Sequence, residues 1–269
     1  MLLEGFTVDQ FSHEGESYPI YRRGTGPGVV VMHEVPGITP EVARFATIVA
    51  DSGFTVLMPS LFGTPGKPNS SGYIAQQLLR ACIRKELKLL ASRKSSPITH
   101  YLRALCRSAH KELGGPGVGA IGMCLTGNFA LSLMVDSSVM APVLSQPSLP
   151  FPFSAEKRSA LHLSDEDLAC VKKGDKNILA LRFSNDKTSP PERFERLRKE
   201  FGDRLETIEI DSSPGNKHGI STNAHSVLTT ELIDEQGHPT LNAVNRTIGF
   251  LREKLNAVTE LKQPAVIDN

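Results

Sequence analysis

Cys124 stands in the run GAIGMCLTGNFAL, preceded by small apolar residues and followed by a helix-like stretch. The pattern small-x-nucleophile-x-small is that of a sharp strand-to-helix turn, which exposes its central side chain because larger neighbours would not fit. Gly122 and Thr126 fill the two small places, Thr126 with more bulk than glycine. Unpaired N–H groups and the dipole at the start of the following helix favour a thiolate. A cysteine among apolar residues can equally be a buried hydrophobe; the turn context favours a nucleophile. Phosphate binding at a glycine-rich turn is the other known use of such a site. Neither GxGxxG nor GxxxxGK(S/T) occurs here.

A nucleophile on such a turn needs an acid and then a histidine later in the chain. Asp186 follows the apolar run NILALRFS and lies in the loop NDKTSPP, at a strand end. His218 lies in the loop after LETIEID, again at a strand end, and is the expected base. His225, seven residues on, is the alternative, while His33, His162 and His238 lack this placement. Asp175 precedes its strand, and Asp211, just before His218, is the runner-up acid. Glu34 ends the first apolar run, in HEVPG. Position 37 is glycine, so the HExxH zinc motif fails there. Without further context Glu34 reads as a solvated loop charge.

These residues require a sheet that brings several strand ends together. FTVDQF and YPIYRR flank a turn-rich SHEGES and predict an N-terminal hairpin. GVVVMH (28–33), FTVLMP (54–59), GVGAIGM, VMAPVLSQ (139–146), NILALRFS (177–184) and LETIEID read as strands. The near-continuous apolar runs among them are those of strands buried on both faces. Helical patterns fall at 40–51, 75–91, 98–113, after Cys124, at 154–174, in PPERFERLRKEFG and at 239–257. Pro40 at a helix start and Gly53 past its end frame the first of these. Alternation of strand and helix implies a mostly parallel sheet covered on both faces. Its chemistry lies beyond the carboxyl ends of the strands.

The 269 residues are expected to form one α/β domain, with a helical insertion at about 75–113 and a loose tail at about 258–269. The composition is that of an ordinary globular protein, 39% hydrophobic and 22% charged. A net charge of +1 offers no global field for nucleic acid or an anionic membrane. No apolar stretch approaches the roughly 20 residues of a membrane span, and Glu4 interrupts the apolar start expected of a signal peptide. Four scattered cysteines without CxxC pairs suggest free thiols and a cytoplasmic setting. Cys82, Cys106 and Cys170 fall in helical patterns away from the strand ends, which disfavours a redox partner for Cys124. No metal or organic cofactor is implied.

Taken together, VVVMHEVPGI, GFTVLMPSLFG, GAIGMCLTGNFAL, LRFSNDKTSPPERF and GNKHGI resemble the dienelactone hydrolase family, over about residues 15–255. The resemblance implies an α/β-hydrolase fold with Cys124, Asp186 and His218 as nucleophile, acid and base. The family motif is G-x-C-x-G-G, from which Thr126 departs. Glu34 matches a glutamate that engages the resting thiol and helps to activate it. Val35 and Leu125 take the places of the backbone oxyanion donors. The family's characterised members hold a substrate carboxylate with arginines, one of them four residues after the histidine; that position is Thr222 here. Arg80 and Arg84 are candidates for another. The implied activity is cleavage of a small-molecule lactone or activated ester through a thioester. The alternative is a non-catalytic scaffold of the same fold that binds a small molecule or a partner protein. Pocket shape is expected to be set by loop 60–73, the helices at 75–113 and segment 147–160, with Phe151 and Phe153 lining it.

Overall fold

The computed structural model describes residues 3–80, 96–148 and 154–256. Its centre is an eight-stranded sheet in the order β1-β2-β4-β3-β5-β6-β7-β8. The strands are β1 (Thr7–His13), β2 (Glu16–Arg23), β3 (Gly28–Met32), β4 (Thr55–Pro59), β5 (Val118–Met123), β6 (Val139–Ser145), β7 (Ile178–Phe183) and β8 (Leu205–Ile210). The hairpin β1–β2 is antiparallel and joins β4 antiparallel, while β4, β3, β5, β6, β7 and β8 run parallel.

Alternation along each strand divides its side chains between two cores. Val29 and Val31 of β3, Ile121 and Met123 of β5, and Leu179, Leu181 and Phe183 of β7 face one layer. That layer holds Phe45 and Val49 of α1 (Pro40–Asp51) and Val244 and Leu251 of α8 (Pro239–Leu255). Val30, Met32, Ala120 and Ala180 face the other. There they meet α3 (Pro97–Leu113), α4 (Gly127–Leu133) and α7 (Pro191–Phe201) through Leu102, Phe129 and Leu197. Strands covered on both faces need no polar alternation, which explains the continuous apolar runs.

Several helices begin where the sequence marks them. Thr39 caps α1, accepting from the Val42 N–H with Pro40 in the first turn, and Ser96 caps α3 through the Thr99 N–H with Pro97 behind it. The expected helix 75–91 appears as α2 (Ser71–Leu79), capped by Ser70. Its remainder lies outside the described residues, as do Cys82, Arg84, Phe151, Phe153 and the tail 258–269. The expected helix pair is α5 (Ala155–Ser159) and α6 (Asp165–Lys173). None of the described helices is long and apolar enough to cross a membrane. From Asp211 to His238 the chain is irregular, longer than the loop that the sequence suggests.

Candidate active site

Cys124 follows β5 directly, with a backbone φ of +57°. A side chain at positive φ is strained, and such strain persists only where the surroundings impose it. Three neighbours do so. At Gly122 a Cβ would stand 2.2 Å from the Thr126 carbonyl oxygen and 2.9 Å from the Gly127 Cα. A Cβ at Gly127 would stand 2.9 Å from the Pro147 Cα. Thr126, fully buried, does what the glycine of the family motif cannot: its Oγ1 accepts from the Met123 N–H (2.9 Å) and lies 2.9 Å from the carbonyl oxygens of both Met32 and Met123, to which it can donate. The threonine thus ties the turn to the end of the neighbouring strand β3.

Past the turn, the Ser148 hydroxyl donates to the Cys124 Sγ (3.1 Å), and the Ser148 N–H donates to the Cys124 carbonyl (3.0 Å). The Asn128 amide fixes that serine by donating to its carbonyl (2.9 Å) and to that of Leu125 (3.0 Å). No feature of SQPSLPFPF singles Ser148 out; its role depends on β6 lying beside β5.

Asp186 sits just after β7 and is buried. Its Oδ1 accepts from the Thr188 N–H (2.9 Å), the Thr188 hydroxyl (2.8 Å) and the Ser189 N–H (3.2 Å). Its Oδ2 lies 2.7 Å from Nδ1 of His225. Burial raises the Asp186 pKa, but the bonds from His225 and Thr188 outweigh it and hold the carboxyl below its ordinary value. Cys124 and His225 line one cavity. Burial pulls the His225 pKa down; the charge of Cys124 and the bond to Asp186 reverse this and lift it well above the ordinary value. Thiol, imidazole and carboxylate thus share one cavity, with the imidazole bonded to the carboxylate.

His218, the expected base, is not in that line. It is exposed in a turn between Gly215 and Gly219, both at positive φ, and its ring packs edge-on against His238 at 5.5 Å. The alternative histidine is the one brought in, for an evident packing reason. His225 lies between Ala224 and the pair Val227 and Leu228, all buried in the core, so the chain there is pinned to the sheet's edge. Glu231 adds to this by accepting from the N–H groups of His225 (3.4 Å) and Ser226 (2.7 Å). The Asn185 amide ties the acid loop to the histidine loop through the Thr222 carbonyl (2.7 Å).

Glu34 lies buried two residues past β3. It is no solvated loop charge: Ser226 Oγ (2.7 Å) and Gln146 Nε2 (3.4 Å) donate to its Oε2, and the Thr229 hydroxyl donates to its Oε1. These bonds direct the carboxylate to the histidine loop, while the thiol receives Ser148. The oxyanion candidates Val35 and Leu125 both line a cavity of about 420 Å³ together with Cys124, Asp186 and His225. Ile74 and Leu78 of α2 give it apolar lining, and Asn185, Lys187, Thr188, Thr222 and Asn223 also line it. Arg80 is exposed at the end of α2 and does not line the cavity. The other cysteines of the described residues stand apart, Cys106 buried in α3 with its thiol pushed up to about 12 by burial, and Cys170 exposed on α6.

A parallel sheet with an antiparallel first hairpin, a strained cysteine after β5, an aspartate after β7 and a histidine after β8 is the arrangement of the α/β-hydrolase class. The dienelactone hydrolase family model matches residues 18–255, and the chain belongs to that family. It is 25% identical over 187 residues to a Saccharomyces cerevisiae protein named "Putative carboxymethylenebutenolidase". That match covers 68% of this chain and 66%, just under two thirds, of the yeast protein. Among solved structures, a dienelactone hydrolase from Anabaena variabilis superposes with a TM-score of 0.59 at 12% identity, covering 93% of this chain and 98% of that one. A dienelactone hydrolase-like promiscuous phosphotriesterase from metagenomic libraries gives 0.59 at 16% identity, covering 93% and 99%. These likenesses concern the fold.

Proposed function

We propose that the protein hydrolyses a lactone or activated carboxylic ester through Cys124, His225 and Asp186. The observation that carries this reading is the 2.7 Å hydrogen bond between His225 and Asp186 in the wall of an apolar-sided cavity that Cys124 also lines. Because Nδ1 of His225 faces the carboxylate, its Nε2 is the nitrogen left for the thiol. With the proton already on His225, the Cys124 thiolate attacks the substrate carbonyl, forming a C–S bond and a tetrahedral oxyanion. The N–H groups of Val35 and Leu125 receive that oxyanion; one such donor is typically worth about 10²–10³ in rate. Collapse breaks the C–O bond, and His225 returns its proton to the leaving oxygen. Water then attacks the thioester, giving one proton to His225, and the carboxylic acid leaves from sulfur. Asp186 holds the imidazole in the required tautomer and stabilises its charged form.

A thioester intermediate favours substrates with good leaving groups, such as enol lactones and aryl esters, over amides. With His225 as the base, the position four residues further on is Thr229, whose hydroxyl is bonded to Glu34. Neither Thr222 nor Thr229 can hold a substrate carboxylate as an arginine does. The substrate is thus an ester or lactone that does not depend on that contact. Glu34 ties the histidine loop to the end of β3 through its bonds with Ser226 and Thr229, and Gln146 also donates to it.

The test compares the wild type with Cys124→Ala on enol lactones, saturated lactones and aryl esters at neutral pH. Turnover of one class by the wild type alone supports the reading. Equal turnover by both proteins overturns it, because sulfur would then take no part.

A further inference from the structure

His33 follows β3, fully buried, and the reaction described above makes no use of it. Its two ring nitrogens have different partners. The Leu61 N–H, which can only donate, points at Nε2 from 3.1 Å, so Nε2 must carry the lone pair. The one proton of the neutral ring is therefore on Nδ1, 3.0 Å from the Glu34 carbonyl oxygen. The Phe62 ring packs edge-on against the imidazole at 4.4 Å. Burial pushes the His33 pKa down to about 4, so the ring stays neutral at ordinary pH.

The carbonyl that receives this bond belongs to the peptide unit whose N–H is that of Val35. In a trans peptide the C=O and N–H point in opposite directions in one plane. Fixing the oxygen therefore fixes the direction of the nitrogen's hydrogen. The same oxygen also accepts from the Gly37 N–H (2.8 Å), so it is held from two sides. Donation to the oxygen further polarises the unit and strengthens its N–H as a donor.

We propose that His33, as its Nδ1–H tautomer, is the positioning residue of the oxyanion site: it clamps the Glu34 carbonyl and so holds the Val35 N–H toward the substrate oxygen. This rests on the hydrolase reading given above. His33 touches neither substrate nor nucleophile, and acts only through the peptide unit it binds.

The experiment compares the full-length wild type with His33→Asn and His33→Gln. Asparagine can place an N–H near the Nδ1 position. Glutamine reaches Leu61 with its oxygen and leaves the Glu34 carbonyl without that donor. Two reactions of Cys124 are measured: the p-nitrophenolate burst from p-nitrophenyl acetate, which develops an oxyanion, and alkylation by iodoacetamide, which does not. The expected result for His33→Gln is an acylation rate lower by about 10–100-fold, a fraction of a lost oxyanion donor, with alkylation within about twofold of wild type. His33→Asn should recover most of the acylation. Unchanged acylation in His33→Gln, equal loss of both reactions, or no recovery in His33→Asn overturns the proposal. Should the variants fail to fold, the ¹⁵N-histidine spectrum of the wild type decides: protonated Nδ1 and bare Nε2 at pH 7 support the clamp, and the reverse overturns it. Absence of any wild-type burst refutes the hydrolase reading, which is a separate failure.

Discussion

Replacing Thr126 by valine isolates what its hydroxyl does for the turn at Cys124. Valine keeps the shape and the β-branch, so packing is preserved while three hydrogen-bond relations vanish. The Met123 N–H is left buried without its acceptor, and a buried donor without a partner costs about 1–3 kcal/mol. Taking about 2 kcal/mol, a domain of this size should melt about 4–8 °C lower. Thr126→Ser keeps the hydroxyl and loses one methyl, worth about 0.8 kcal/mol, and should remain much closer to wild type. Thr126→Gly, which restores the family's glycine, should be at least as destabilised as the valine variant here, because it also loosens the unfolded chain. Urea denaturation of the four proteins, followed by far-ultraviolet circular dichroism, measures this order. Thr126→Val as stable as wild type, or Thr126→Ser as damaged as Thr126→Val, would refute the idea that the hydroxyl secures the turn.

Two further effects follow from the same site. Asp186→Asn should lower turnover of an aryl ester on the order of 10²–10⁴-fold with little loss of folding; near wild-type turnover in a folded variant would remove Asp186 from the acid's place. His225 titrates in the folded protein well above its ordinary value, so the folded state favours its charged form. The stability this contributes is fully present below the unfolded pKa of about 6.5 and is lost as pH rises through the folded pKa. The free-energy difference between wild type and His225→Gln, measured in urea from pH 5 to 10, should therefore shrink with rising pH. A difference that grows over that range would contradict the assignment.

Much of this site was legible because its parts lie where periodicity is strongest. The apolar runs of β3, β5 and β7 fixed three strand ends, and with them Glu34, Cys124 and Asp186. The histidine was harder. His218 is the first histidine after β8, but GNKHGI is a tight exposed turn held by Asn216, whose amide donates to the Ile220 carbonyl (2.7 Å) and whose oxygen accepts from the Ile220 N–H (2.9 Å). NAHSVL offered the better signal, since its apolar Ala224, Val227 and Leu228 anchor the chain and hold His225 still. Nearness to a strand end favours His218, whereas apolar anchoring favours His225. Ser148, Ser226, Gln146 and Thr229 were not legible, because each acts across the fold on a partner 24 or more positions away. Arg80 looked plausible by its helix alone, yet it lies at the exposed end of α2, where a charged side chain is solvated.

We propose that His225, and not His218, serves Cys124. Stopped-flow acylation by p-nitrophenyl acetate at pH 7 tests it most directly, comparing wild type, His225→Asn and His218→Asn, each checked for folding. The expected result is a burst slowed on the order of 10²-fold or more in His225→Asn and within about twofold of wild type in His218→Asn. A burst lost in His218→Asn and kept in His225→Asn would contradict it.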